Sequence, residues 1–396
     1  MAGQSYRGDA ALAWLLDEAG VALAIEEVQS LVRGAVSALA GRRSDAWIGL
    51  IAPDAGPALR AELLALAELL AAESETGLEL TPAPGERLEA LRAELARRGL
   101  DGFMVPRGDA YQSEYVPARA DRMRWLTGFT GSAGLAVVLP ERAAIFVDGR
   151  YTLQVRRQVD QTLFAPHDLT SDPPAAWIAA HLPSVGRLGF DPWLHTERQI
   201  ETYRRAAARA GGTLMPVPEN PIDAIWPGQP ARPISPVVPH EPRFAGVAAE
   251  EKTATIGASL ARAGIDAAVL TAPDSIAWLL NIRGGDVPRT PLPLSWAILR
   301  RDGTVDLFIE PVKLAAATRR HLGEKVAISP PEAFGAALEA LGRSGATVQV
   351  DPGAGPVLER ELGAPFAVIE RLARGGAVLV RALDPCALPK AAKNPV

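Results

Sequence analysis

Apolar residues in this chain follow a helical period first, and then alternate between helical and strand periods twice over. From residue 9 to residue 73, Leu, Ala and Val recur three and four positions apart in DAALAWLLDEAG, IEEVQSLVRGAVSALAG and PALRAELLALAELLAAES. Gly or Pro separates the three segments, so they predict three amphipathic helices, with Pro57 in the first turn of the last. Beyond the Pro/Gly-rich LELTPAPGE, LRAELARRG predicts a helix stopped by Gly99, and DGFMVP predicts a strand. Leu135–Leu139 and Ala143–Val147, rich in Val, Ile and Phe, flank Pro140-Glu141-Arg142 and predict an antiparallel hairpin. Gly128, Gly131 and Gly134 precede it, where backbone bends or approaches a neighbour closely. Asp148-Gly149-Arg150-Tyr151 then closes the second strand with a turn bearing a guanidinium and a phenol. Helices are predicted next in TLQVRRQV, PPAAWIAAHLP and TERQIETYRRAAARAGG, the last capped by Thr196 and ended by Gly211-Gly212.

The same order returns. Leu91–Asp109 (LRAELARRGLDGFMVPRGD) matches Ile256–Asp274 (IGASLARAGIDAAVLTAPD) at a constant offset of 165. Each copy leads to a Trp-Leu pair, Trp125-Leu126 and Trp278-Leu279, and then to a glycine-containing turn and apolar strands. AAIFVDG at 143–149 answers VDLFIEP at 305–311, and Asp302-Gly303 is a hairpin turn. The repetition predicts two copies of one α/β domain, each a sheet with flanking helices. Residues 213–242 are so dense in proline that they are expected to hold no regular structure and to connect the copies. The expected organisation is a helical extension at 1–80, a first domain at 85–228, a linker at 229–245, a second domain at 246–388 and a short trailing segment at 389–396.

With 396 residues, 48% hydrophobic and 22% charged, the chain has the composition of a globular protein of several domains. A net charge of −5 argues against nucleic acid or an anionic membrane as partner. No apolar run is long enough to span a bilayer, and MAGQSYRGDA does not resemble a secretion signal. The single cysteine, Cys386, excludes an internal disulfide, and the expected location is the cytoplasm.

Little in the sequence carries chemistry. The five histidines are scattered, and no HExxH or Cys/His cluster exists, so no metal site is expected within the chain. Ser132 in GSAG does not satisfy GxSxG, since Thr130 stands two positions before it. The glycines around it match neither a dinucleotide fingerprint nor a phosphate loop. Asp109, Asp148, Asp274 and Asp286 fall at strand ends, where carboxylates cap loops. Arg150 is the most suggestive side chain. A guanidinium at a strand end suits a ligand's carboxylate or carbonyl, or equally an ion pair within its own domain.

Three stretches, SEYVPARADRMRWLTGFTGSAG, FVDGRYTLQ and DSIAWLLNIRGGDV, resemble the three-domain Xaa-Pro aminopeptidases of the creatinase/prolidase-like group. The resemblance runs from about residue 85 to residue 396. It implies two tandem creatinase-type α/β domains followed by a pita-bread catalytic domain. In that family a dinuclear manganese site, held by Asp, Asp, His, Glu and Glu, cleaves the bond before a penultimate proline. None of those ligands can be placed in this chain. LPKAAKNPV resembles the junction to the catalytic domain, so the chain is expected to stop inside it and to be inactive alone, with no catalytic or metal residue of its own.

The arginine of the family's DGRY motif matches Arg150, which the resemblance makes a peptide contact. By the same resemblance Tyr151, Asn281, Arg283 and Asp286 are cleft-rim or interdomain residues. The partners it implies are a peptide with a penultimate proline, a C-terminal pita-bread domain, and a second copy of the chain as a candidate. The competing expectation is a stand-alone peptide-binding or regulatory protein built from the same domains. Residues 1–80 have no counterpart in the family pattern.

Overall fold

The computed structural model describes residues 5–38, 45–79, 82–287, 289–351, 366–382 and 385–386, with backbone only at 74–79. The expected junction at 389–396 lies outside the described residues. Four helices come first: α1 (Asp9–Glu18), α2 (Ile25–Ser37), α3 (Ile48–Ile51) and α4 (Pro57–Glu79). Leu59, Leu63, Leu66 and Leu70 line one stripe of α4 and close a core with Leu12, Leu16, Val28, Val32 and Ile48. Gly34 on α2 is where this bundle meets the proline-rich segment. Its carbonyl accepts the Ile234 N–H at 2.8 Å, and a Cβ there would lie 2.5 Å from Ile234 Cγ1.

The next part runs α5 (Pro84–Arg97), β1 (Gly102–Pro106), α6 (Arg122–Thr127), β2 (Gly134–Val138), β3 (Ala143–Val147), α7 (Thr152–Gln158) and β4 (Ala165–Asp168). It continues with α8 (Pro174–His181), β5 (Arg187–Phe190), α9 (Glu197–Arg209), β6 (Thr213–Pro216) and α10 (Pro221–Ile225). Its six strands lie in the order β4-β3-β2-β1-β5-β6. The predicted hairpin is β2–β3, antiparallel with Ala136 opposite Ile145, while β1–β5 and β5–β6 pair in parallel. Alternation along β1 separates two cores. Phe103 and Val105 face Leu91 and Leu95 of α5, whereas Met104 faces the side of Trp177 and Ile200 from α8 and α9. The result is a helix–sheet–helix sandwich.

The second copy runs β7 (Val238–Pro239), α11 (Pro242–Ala245), α12 (Ala249–Arg262), β8 (Ala267–Leu270), α13 (Pro273–Leu279), β9 (Ile282–Arg283), β10 (Trp296–Arg300) and β11 (Val305–Phe308). It ends with α14 (Ala316–Leu322), β12 (Val326–Ser329), α15 (Ala333–Arg343), β13 (Thr347–Val350), α16 (Phe366–Gly375) and β14 (Val378–Arg381). The sheet order β12-β11-β10-β8-β13-β14 reproduces that of the first copy. Helix α5 at 84–97 recurs as α12 at 249–262, and the glycines that stop them, Gly99 and Gly264, have φ of +66° and +69°.

The proline-rich segment departs from expectation, since it holds β6 and α10. Strand β6 lies at the sheet edge, where Pro216 can lack an N–H without breaking a ladder. Pro221 opens α10, and the Asn220 side chain accepts the Ile222 N–H at 3.1 Å. The two α/β domains also touch directly: Arg381 forms a bidentate pair with Glu197 at 2.7 and 2.8 Å, and Tyr111 and Trp193 pack against the core around Phe334.

Candidate functional site

Asp148 ends β3 and caps the turn that follows, accepting the Arg150 N–H at 2.9 Å. Its carboxylate also holds the Arg150 guanidinium, with Nη2 to Oδ2 at 2.5 Å, while the arginine side chain stays 66% exposed. Arg150 leans over the Tyr151 ring, 5.2 Å from its centre. The Tyr151 hydroxyl in turn lies 2.9 Å from Ser132 Oγ in the glycine turn before β2. An exposed guanidinium, oriented by one carboxylate and one ring, still has donors to offer a carbonyl or carboxylate. The phenol beside Ser132 is not the general base that a serine nucleophile needs, so Ser132 acts as a turn residue.

Asn281, Arg283 and Asp286 sit on the second domain, and none of them bonds to Arg150 or Tyr151. Asn281 is 1% exposed, with φ of +50°. Its amide donates to Val247 O at 2.8 Å, and its Oδ1 accepts Lys252 Nζ at 2.6 Å. Lys252 is buried, reaches Trp278 O at 2.8 Å and lies 4.3 Å from the Trp278 ring centre; burial pulls its pKa down. Asp286 is also 1% exposed, bonded to Lys313 Nζ at 2.8 Å and to the Leu294 N–H at 2.7 Å. Both side chains are thus buried and held by lysines, and Asp286 sits on the side of its domain that meets Tyr111 of the first. Arg283 is half-buried and donates to Ala277 O and Ile282 O at 3.3 and 2.8 Å.

Sequence reasoning missed the two buried lysines and the space between the domains. Lys252 had a signal, since it falls on the apolar stripe with Ile256 and Leu260. The interdomain cavity, of about 390 Å³, had none, because its walls come from distant segments. Asp109, Tyr111, Arg119 and Arg122 line it from the first domain, and Trp296 and Lys313 from the second. Most of its ions are paired: Arg122 with Asp223 at 2.6 and 2.7 Å, Arg232 with Glu332 at 2.5 Å, Lys313 with Asp286, and Arg371 with Glu339 at 2.8 Å. Trp296 stacks between Tyr111 at 4.6 Å and Phe334 at 5.0 Å. Among the described residues no three His, Cys, Asp or Glu side chains converge as metal donors, so a dinuclear metal does not fit the described part of this chain. No described helix is long and apolar enough to cross a membrane.

The creatinase/prolidase N-terminal domain model matches residues 87–224, and a second model of the same description matches 228–396. The chain thus belongs to the creatinase/prolidase family through two successive N-terminal-type domains. It is 34% identical over 275 residues to a probable Xaa-Pro aminopeptidase P of Coccidioides posadasii, covering 69% of this chain and 42% of that protein. It is 36% identical over 272 residues to one from Paracoccidioides brasiliensis, covering 68% and 44%. Among solved structures, an X-prolyl aminopeptidase of Caenorhabditis elegans, described as a cytosolic enzyme with a di-nuclear active site, is 25% identical. It superposes with a TM-score of 0.68 over 76% of this chain and 51% of its own. The chain therefore spans less than half the length of the curated relatives it matches.

Proposed function

We propose that this chain is the substrate-gating and assembly region of an Xaa-Pro aminopeptidase, working with a C-terminal pita-bread lobe that carries two manganese ions. One observation carries the reading. The match to proteins named Xaa-Pro aminopeptidase P runs across 275 residues yet takes up only 42% of the relative, leaving ample chain elsewhere for a catalytic centre. In this reading the two domains supply a wall of the peptide site, and Arg150, oriented by Asp148, receives a carbonyl or carboxylate of a peptide with a penultimate proline. Tyr151 supports that guanidinium from below. Removal of the residue before proline belongs to the metal-bearing lobe, and the whole assembly is cytoplasmic and pairs as a homodimer. The test is a Mn²⁺ titration of the purified chain followed by electron paramagnetic resonance. The free-ion spectrum is expected to persist at stoichiometric metal, and its loss at two ions per chain would contradict the reading.

A further inference from the structure

The cavity between the α/β domains holds two ionic side chains that its surroundings leave incomplete. Asp109 is 2% exposed; its Oδ1 accepts the N–H groups of Tyr111 and Ser113 at 3.0 and 2.9 Å, but its Oδ2 has no hydrogen-bond partner. No cation lies within ion-pair distance of it among the described residues. Arg119 donates to Pro230 O at 3.1 Å and likewise forms no ion pair there, although every other arginine and lysine lining the cavity has one. The third incomplete group is neutral. Trp296, 9% exposed, has no acceptor for its indole Nε1, and its ring, stacked between Tyr111 and Phe334, turns an apolar edge to the cavity.

A carboxylate with one oxygen unbonded, whose nearby cation Arg107 forms no ion pair with it, an arginine that feels Asp223 without pairing to it, and an aromatic edge define one complementary ligand. It carries an ammonium for Asp109, a carboxylate for Arg119 and an apolar body for the rim of the Tyr111–Trp296 stack. A volume of about 390 Å³ falls within the roughly 300–1,000 Å³ of small-molecule sites. We propose that this cavity binds a small zwitterion with an apolar side chain, of the free amino acid or dipeptide class. Because Asp109 and Arg119 belong to the first domain and Trp296 to the second, the ligand bridges the domains and sets their spacing. The site is separate from the Arg150 turn.

The test is calorimetric titration of the whole chain with L-phenylalanine and the dipeptide Phe-Leu, then with N-acetyl-L-phenylalanine and L-phenylalaninamide. Saturable binding is expected for at least one of the first two. Blocking either charge should weaken binding about tenfold or more, as loss of a charge-assisted hydrogen bond does. Asp109→Asn keeps the Oδ1 acceptor for the turn. It should weaken the free zwitterion about tenfold while leaving N-acetyl-L-phenylalanine unchanged. No binding by either zwitterion, or equal affinity for free and blocked probes, would overturn the proposal. So would an Asp109→Asn variant that binds the zwitterion as the wild type does. The comparison of free and blocked probes needs only wild-type protein, and it remains decisive even if a variant fails to fold.

Discussion

The Lys313 ammonium lies 2.8 Å from Asp286 Oδ2, with the two side chains only 3% and 0% exposed. Burial raises the Asp286 pKa, and the Lys313 charge is the largest influence pulling it back. Lys313→Met would strand that carboxylate in the interior. The expected loss is about 3–5 kcal/mol in a urea titration, with part of it recovered when Asp286→Leu is added. Equal losses in the single and double variants would show that the pair is not what matters.

Asp109 gives a pH signature. Burial raises its pKa from 3.8 to about 6, more than the bonds from Ser113 and Tyr111 lower it. A carboxyl with a raised folded-state pKa favours folding fully below its unfolded value, and this contribution fades as pH rises through about 6. Between about pH 7 and pH 4, wild type should gain stability over Asp109→Asn, by up to roughly 3 kcal/mol. Parallel stability–pH curves for the two proteins would refute it.

The repeated helix stops allow a paired test. Gly264, at φ +69°, has nothing within 4 Å of a built Cβ, whereas Gly99, at φ +66°, has Arg187 Nη1 at 3.2 Å. Gly264→Ala should cost about 1 kcal/mol from backbone conformation alone. Gly99→Ala should cost at least as much, since Arg187 must also move. Thermal melts of the two variants would show the order.

Arg150→Ala should leave the stability of the chain nearly unchanged, because the pair with Asp148 is exposed and screened by water. In a protein that includes the catalytic lobe, the same change should raise KM for X-Pro-Pro peptides about tenfold with a smaller effect on kcat. An unchanged KM would remove Arg150 from the peptide site.

The tandem α/β architecture could be read before any coordinates, because the repeat is written in local terms. Helix period, αL glycine and apolar strand recur together, and the Val/Ile/Phe runs of β2 and β3 flank an unmistakable turn. What escaped depends on neighbours that are remote in sequence. Pro216 suggests irregular chain until one sees that β6 is an edge strand. Asp109 and Asp274 occupy equivalent places in the repeat, yet Asp274 is exposed and Asp109 is buried, because only Asp109 lies in the space between the domains. Asn281 and Asp286 resemble rim residues by motif, and the lysines that draw them inward stand 29 and 27 positions away. For Arg150 the sequence left peptide contact and ion pair both open, and the side chain is exposed while it pairs with Asp148.

The most direct measurement is turnover of an X-Pro-Pro peptide by the purified chain supplied with Mn²⁺. The account predicts no release of the residue before proline by this chain, and release once the chain is joined to a metal-binding pita-bread lobe. Chelator-sensitive release by the chain alone would contradict it.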